Sequence, residues 1–145
     1  MEVTTLGNDP AIMFMLNGEP PTATAQQKRC RIVGGRPKFF ESDDVRAARE
    51  RYMAQLAPYR PERPLDGPVT VHIMYLFQPR RGHPPGAWKT TRPDVDNMGK
   101  LLLDCMTASG FWGDDSQVVS LTLAKAYGGS GGIAVMVDRA IEEAQ

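Results

Sequence analysis

Residues 92–127 read RPDVDNMGKLLLDCMTASGFWGDDSQVVSLTLAKAY. From about Asp96 to Ala108 the apolar residues Met98, Leu101, Leu102 and Cys105 recur at i, i+3, i+4 and i+7. That spacing places them on one buried stripe of a helix. Asp96, Lys100 and Asp104 recur at i, i+4 and i+8 and stack on the opposite side of the same helix. Phe111-Trp112-Gly113-Asp114-Asp115 reads as a tight connection out of the helix, with Phe111 and Trp112 as core aromatics. Val118–Tyr127 then reads as a strand.

Upstream, Val69–Phe77 alternates Val69, Val71, Ile73, Tyr75 and Phe77, the period of a half-buried strand, with His72 on the surface side. Pro58, Pro61, Pro64 and Pro68 mark a connection before it. Ser42 is a candidate N-cap for a helix over Asp43–Leu56, which keeps Val45, Ala48, Tyr52 and Leu56 roughly on one face. Cys30–Val33 and Arg36–Phe40, joined across Gly34-Gly35, read as a small basic hairpin. Ala11–Asn17 reads as a first strand, stopped by Gly18, Pro20 and Pro21. Gln78–Pro93 reads as a long loop, the kind of segment that is often functional. After the glycine-rich turn at residues 128–132, Ile133–Val137 is expected to pair back as a hairpin. The expectation is one α+β domain over residues 1–145: a small mixed sheet of about four strands plus the basic hairpin, packed against two helices.

Bulk properties agree. A chain of 145 residues with 41% apolar and 23% charged residues is globular rather than disordered. The apolar run from Ala11 to Leu16 is far shorter than the ~20 residues needed to span a bilayer, and no basic segment precedes it as in a secretory signal. Cys30 and Cys105 have no CxxC or histidine spacing and read as reduced thiols of a cytoplasmic protein. The formal net charge is zero, but its distribution is uneven. Residues 28–51 hold eight Lys/Arg against four Asp/Glu, a local +4. Residues 77–90 add Arg80, Arg81 and Lys89 with no acid, a local +3. Residues 91–115 hold two bases against five aspartates, a local −3. Basic segments that neutralise phosphates, on either side of an acidic spot that recruits cations, are the charge plan of a metal-dependent nuclease.

Within the acidic spot, Asp94 lies just before the helix and Asp96 at its start, where Asp96 also suits the N-cap. Two carboxylates spaced by two in such a segment can converge on one ion. An EF-hand starting at Asp94 is excluded, because Met98 and Cys105 would fill positions five and twelve of the loop and neither can ligate Ca²⁺ as required. A DxD phosphatase motif is excluded too, because residues 89–93 are polar and loop-like where a buried strand is needed. What survives is a site of Asp94, Asp96 and Asp115, with Asp114 beside them, plus Lys100. All-oxygen ligands favour Mg²⁺, with Mn²⁺ as a substitute, over zinc.

The string from Arg92 to Val119, followed by Lys125 in the next strand, resembles the RusA-type Holliday junction resolvases. The shared pattern is Asp-x-Asp-Asn, a lysine four residues after the second aspartate, and a downstream Asp-Asp before a strand. The resemblance is strong over residues 92–125, long and gapless, and weaker over the rest. It implies a homodimer that binds four-way DNA junctions and resolves them with paired symmetric nicks in recombination and repair, using Mg²⁺ and no organic cofactor. Asp94, Asp96 and Asp115 would be metal ligands and Lys100 the catalytic lysine, with Asp114 as the acidic neighbour. Arg29, Arg31, Arg36, Arg80, Arg81, Lys89, Arg92 and Lys125 are expected to contact DNA, and His83 in the basic loop is a weaker candidate. The competing expectations are a related nuclease acting on flaps or other branched DNA, and a non-catalytic junction-binding protein. The intact set of Asp94, Asp96, Lys100 and Asp115 argues against the second.

Overall fold

Alternation at residues 69–77 makes a strand whose odd-numbered side chains are all buried, and the sheet is built around it. The computed structural model describes residues 3–5, 12–24 and 28–142. Along the chain come β1 (Val3–Thr5), β2 (Ile12–Asn17), β3 (Lys28–Val33), β4 (Arg36–Glu41), α1 (Asp43–Leu56), β5 (Val69–Phe77), α2 (Val95–Ser109), β6 (Val118–Tyr127) and β7 (Gly132–Glu142). Ala11, expected at the head of the first strand, lies outside the described residues. The Ser42 hydroxyl does cap α1, accepting from Val45 N at 3.2 Å. The bounds of α1, β5 and β6 are those that the sequence pattern marks.

The sheet is mixed and has five strands, one more than expected, because the three-residue β1 pairs with the end of β7. Its order is β1-β7-β5-β6, with β2 also on β7. The pairing expected after residue 127 is corrected here. β7 does not fold back on β6. It crosses the end of β5 and runs antiparallel to it on the far side, Ile73 opposite Val135 and Tyr75 opposite Ile133. β6 runs parallel to β5, Ile73 opposite Leu123 and Tyr75 opposite Lys125. The physical reason lies in the turn: Gly128 N donates to Phe77 O at 2.9 Å, which carries the chain over the strand end instead of reversing it. Burial of Ile133, Val135 and Val137 then suits a strand with neighbours on both edges.

Because β5 and β6 are parallel, they need a crossover, and α2 is its helix. Met98, Leu101, Leu102 and Cys105 are buried as one stripe, together with Met106, against β5 and α1 side chains. Trp112 is core, 1% exposed, with its indole N–H donated to Thr107 Oγ1 at 2.7 Å. The opposite face of the sheet carries His72, Met13 and Met15, all exposed. The β3–β4 unit stands apart as its own two-stranded sheet, every residue of it exposed. With the strands alternating, Arg29, Arg31, Arg36 and Lys38 share one side and Cys30, Ile32, Pro37 and Phe39 the other.

Candidate active site

The crossover brings the start of α2 beside the start of β6, and a cleft of ≈ 360 Å³ lies between them. Asp96, Lys100, Leu103 and Asp104 line it from α2, Asp115 from the turn before β6, and Val118, Leu121 and Leu123 from β6 itself. The helical face carrying Asp96, Lys100 and Asp104 is therefore the wall of a groove rather than a solvated surface. An ammonium among three carboxylates, on an apolar floor, is its chemical character.

Asp94, not Asp96, is the N-cap residue of α2, and its side chain makes no capping hydrogen bond. The expectation for Asp96 as cap is thus corrected. The extended backbone at Asp94 lets its carbonyl accept from Met98 N at 3.2 Å, which starts the helix one residue early and puts Asp96 in the first turn. Asp94 is exposed at the mouth of the helix, two residues from Asp96, but it is not among the residues lining the cleft. The peptide between Arg92 and Pro93 is cis.

Asp114 and Asp115 have separate tasks. Asp114 caps the short 3₁₀ turn Asp115–Gln117: its Oδ1 accepts from Ser116 N at 2.8 Å. That backbone hydrogen bond, with further hydrogen bonds from the Ser116 side chain and Asp115, holds the Asp114 carboxyl below the usual carboxylate range. Its neighbour Asp115 is then left to face the cleft. Gln117 holds the turn in place, a role that the sequence reading missed. Its Oε1 accepts from Gly113 N at 2.8 Å and Asp114 N at 3.0 Å, while its Nε2 donates to Leu65 O and Gly67 O, both at 2.9 Å. The signal was present as Asp114-x-x-Gln117, a capping box.

Among the described residues, no three of His, Cys, Asp and Glu stand close enough to form a preassembled metal cage. Asp94, Asp96 and Asp115 are all exposed. The donor set nevertheless fits a hard divalent cation: carboxylates only, open to water.

Among the basic residues expected at DNA, Arg80, Arg81, Arg92, Arg31 and Arg36 are exposed. Arg29 is exposed as well and is ion-paired to Asp43 at 2.7 Å. Arg31 lies over the Phe40 ring at 5.5 Å. Lys89 is buried instead: it is 8% exposed, lies over the rings of Phe77 at 4.8 Å and Tyr127 at 5.5 Å, and donates to Thr91 Oγ1 at 2.7 Å. Lys125 is also turned inward, donating to Thr91 O at 2.7 Å and Pro93 O at 2.6 Å. Counting charge along a chain does not reveal which way an ammonium points. His83 stacks on Tyr127 at 4.9 Å between ring centroids, so its ring is anchored to the sheet end.

Residues 19–138 match the family model described as Endodeoxyribonuclease RusA. The chain belongs to the RusA endodeoxyribonuclease family. It is similar to the crossover junction endodeoxyribonuclease rusA of Lactococcus phage r1t, 32% identical over 106 residues that cover 70% of this chain and 78% of the relative. RusA membership makes the chain an endodeoxyribonuclease, and the matched span contains the cleft, the N-cap Asp94 and every basic residue named above. In RusA terms, the resemblance read from residues 92–125 extends across most of the fold.

Proposed function

We propose that this RusA-family endonuclease resolves Holliday junctions by paired symmetric nicks, with Mg²⁺ as its cofactor, in recombination and repair of cytoplasmic DNA. The observation that carries the reading is the one cleft lined by Asp96, Lys100, Asp104 and Asp115, with Asp94 at the helix mouth beside it. The similarity to a phage crossover junction enzyme supports the choice of substrate.

Asp94, Asp96 and Asp115 would hold the metal, with Asp114 as their neighbour in the turn. When bound, the metal supplies an activated water and positive charge against the scissile phosphate. Lys100, one turn beyond Asp96, adds a fixed positive charge at the same groove, suited to a phosphate oxygen or the departing oxygen. Leu103, Val118, Leu121 and Leu123 form the apolar floor beneath these charges.

The test is one gel: a mobile four-way junction beside flap and plain duplex, each with Mg²⁺ and with EDTA. Symmetric nicks in the junction alone, absent with EDTA, are expected. Preferential flap cutting moves the protein to the related-nuclease reading, and robust cutting in EDTA removes the metal.

Arg80, Arg81 and Arg92, with Arg29, Arg31 and Arg36, form the proposed phosphate-binding frame. Each phosphate neutralised contributes ~0.9 to the slope of log affinity against log salt, so Arg80→Ala with Arg81→Ala is expected to flatten that slope by ~1.8. Junction affinity should fall for all sequences alike, and an unchanged slope in filter-binding titrations places the DNA elsewhere.

A further inference from the structure

Residues 86–89 run alongside the end of β6. Gly86 N donates to Tyr127 O at 2.8 Å, Tyr127 N to Ala87 O at 2.9 Å, and Lys89 N to Lys125 O at 3.2 Å, with Trp88 bridged to Ala126. The loop that the sequence shows as irregular is thus pinned as an added ribbon on β6. From its end the chain has only residues 90–93 in which to reach Asp94, and there Lys125 takes hold of it.

The Lys125 ammonium donates to the carbonyl oxygens of Thr91 at 2.7 Å and Pro93 at 2.6 Å, on either side of Arg92. Lys89, held by two aromatic rings, grips the Thr91 hydroxyl at 2.7 Å. A charged donor makes short, strong hydrogen bonds, and two bonds from one ammonium fix the separation of the two carbonyls as well as their position. Both lysines were expected at DNA. Lys125 instead grips the backbone that leads into α2, and Lys89 the Thr91 side chain beside it.

We propose that Lys125 is a positioning residue for cleavage, which sets where the Asp94 carboxylate and the first turn of α2 stand relative to Asp96, Lys100 and Asp115. The proposal rests on the nuclease reading of that cleft. Lys125 is not among the residues lining the cleft; it acts through the Thr91 and Pro93 carbonyls. The β5–β6 ladder runs past it on backbone hydrogen bonds alone, so its loss releases residues 91–94 and leaves the sheet intact. Its register opposite Tyr75 places it within the paired part of β6, two pairs before the ladder ends at Phe77 and Tyr127, a base from which to hold a loop.

The experiment compares Lys125→Met, Lys125→Gln and Lys125→Arg with the parent. Methionine keeps an unbranched apolar stem one atom shorter and removes the ammonium; glutamine keeps one acceptable donor group; arginine keeps several. For Lys125→Met, single-turnover junction cleavage is expected to fall by about 10–100-fold. Junction affinity measured in EDTA and the salt slope of binding should stay at the parental values. The Mg²⁺ concentration for half-maximal cleavage should rise, and amide exchange of Asp94 and the first α2 turn should accelerate while the β5 and β6 amides stay protected. Lys125→Arg should recover part of the rate. If the methionine variant does not fold, the glutamine variant carries the same measurements. A salt slope reduced by ~0.9 with weakened binding would make Lys125 a phosphate contact and overturn the proposal. Parental cleavage with unchanged exchange would overturn it too. If the parent itself leaves junctions uncut, the nuclease reading of the cleft fails, and the exchange experiment alone still shows whether Lys125 holds residues 91–94.

Discussion

Asp96→Asn and Asp115→Asn are each expected to lose junction cleavage by about 10²–10³-fold or more while binding junctions as tightly as the parent, or tighter. Both side chains line the cleft from opposite walls, one from α2 and one from the turn before β6. Asparagine keeps the shape and removes one negative charge from each wall. The proposed cation loses a ligand, which removes rate, and the DNA meets less repulsion, which helps affinity. Asp94→Asn should behave in the same way, since its carboxylate is not engaged in capping α2. Asp114→Asn is the internal comparison. Its Oδ1 accepts from Ser116 N, an interaction that an amide oxygen can replace, so its cleavage should fall much less. The readout pairs single-turnover rates in Mg²⁺ with affinities in Ca²⁺ or EDTA. Near-parental cutting by Asp96→Asn or Asp115→Asn removes that residue from the site. An equal loss at Asp114 makes it a ligand in its own right.

How far the sequence speaks for this site depends on what each kind of signal encodes. Periodicity reports burial, so Val69–Phe77, Val118–Tyr127 and the stripe from Met98 to Cys105 were legible from their apolar spacing. Pairing is another matter. An alternating run states which face is buried and nothing about which strand lies beside it, and so β7 was placed on β6 although it lies beyond β5. β1, three residues long, is too short to show a period at all. The acidic face of α2 was legible because Asp96, Lys100 and Asp104 obey helical geometry, and the pocket opposite it was supplied by the crossover topology. Lys89 and Lys125 mark the limit of charge counting. Their aromatic and carbonyl partners come from β5, β6 and the loop together, 34 positions away in the case of Lys125 and Thr91, and meet only in space, never as a local pattern.

A cruciform plasmid treated with the parent should yield mainly linear product, and mixing in inactive subunits should convert the yield to nicked circles. The argument begins with stoichiometry. The described residues of each chain form one such acidic cleft between α2 and β6, whereas resolution needs two opposed cuts, so a twofold pair of chains matches the twofold symmetry of the junction. The fold has surface to spare for such a pair. Among the described residues nothing covers the sheet face opposite the helices, which forms a shallow apolar hollow of ≈ 500 Å³, lined by Met13, Met74, Ala124, Ala134 and Met136 among others. Met13 is 70% exposed there, and Met15 on the same strand is 42% exposed. An exposed apolar patch of this kind is favourable to cover and costly to leave in water. A cruciform exists only while supercoiling supports it, so the first nick destroys the substrate unless the second follows in the same encounter. With Asp96→Asn subunits in about ninefold excess and allowed to exchange, random pairing gives about eighteen mixed dimers for every fully active one. Nicked circles should then outnumber linear product by a comparable factor, while total turnover per active subunit stays near parental. Linear product that falls only in proportion to the active subunits, from a protein sedimenting as a monomer on the junction, would mean that one chain makes both cuts.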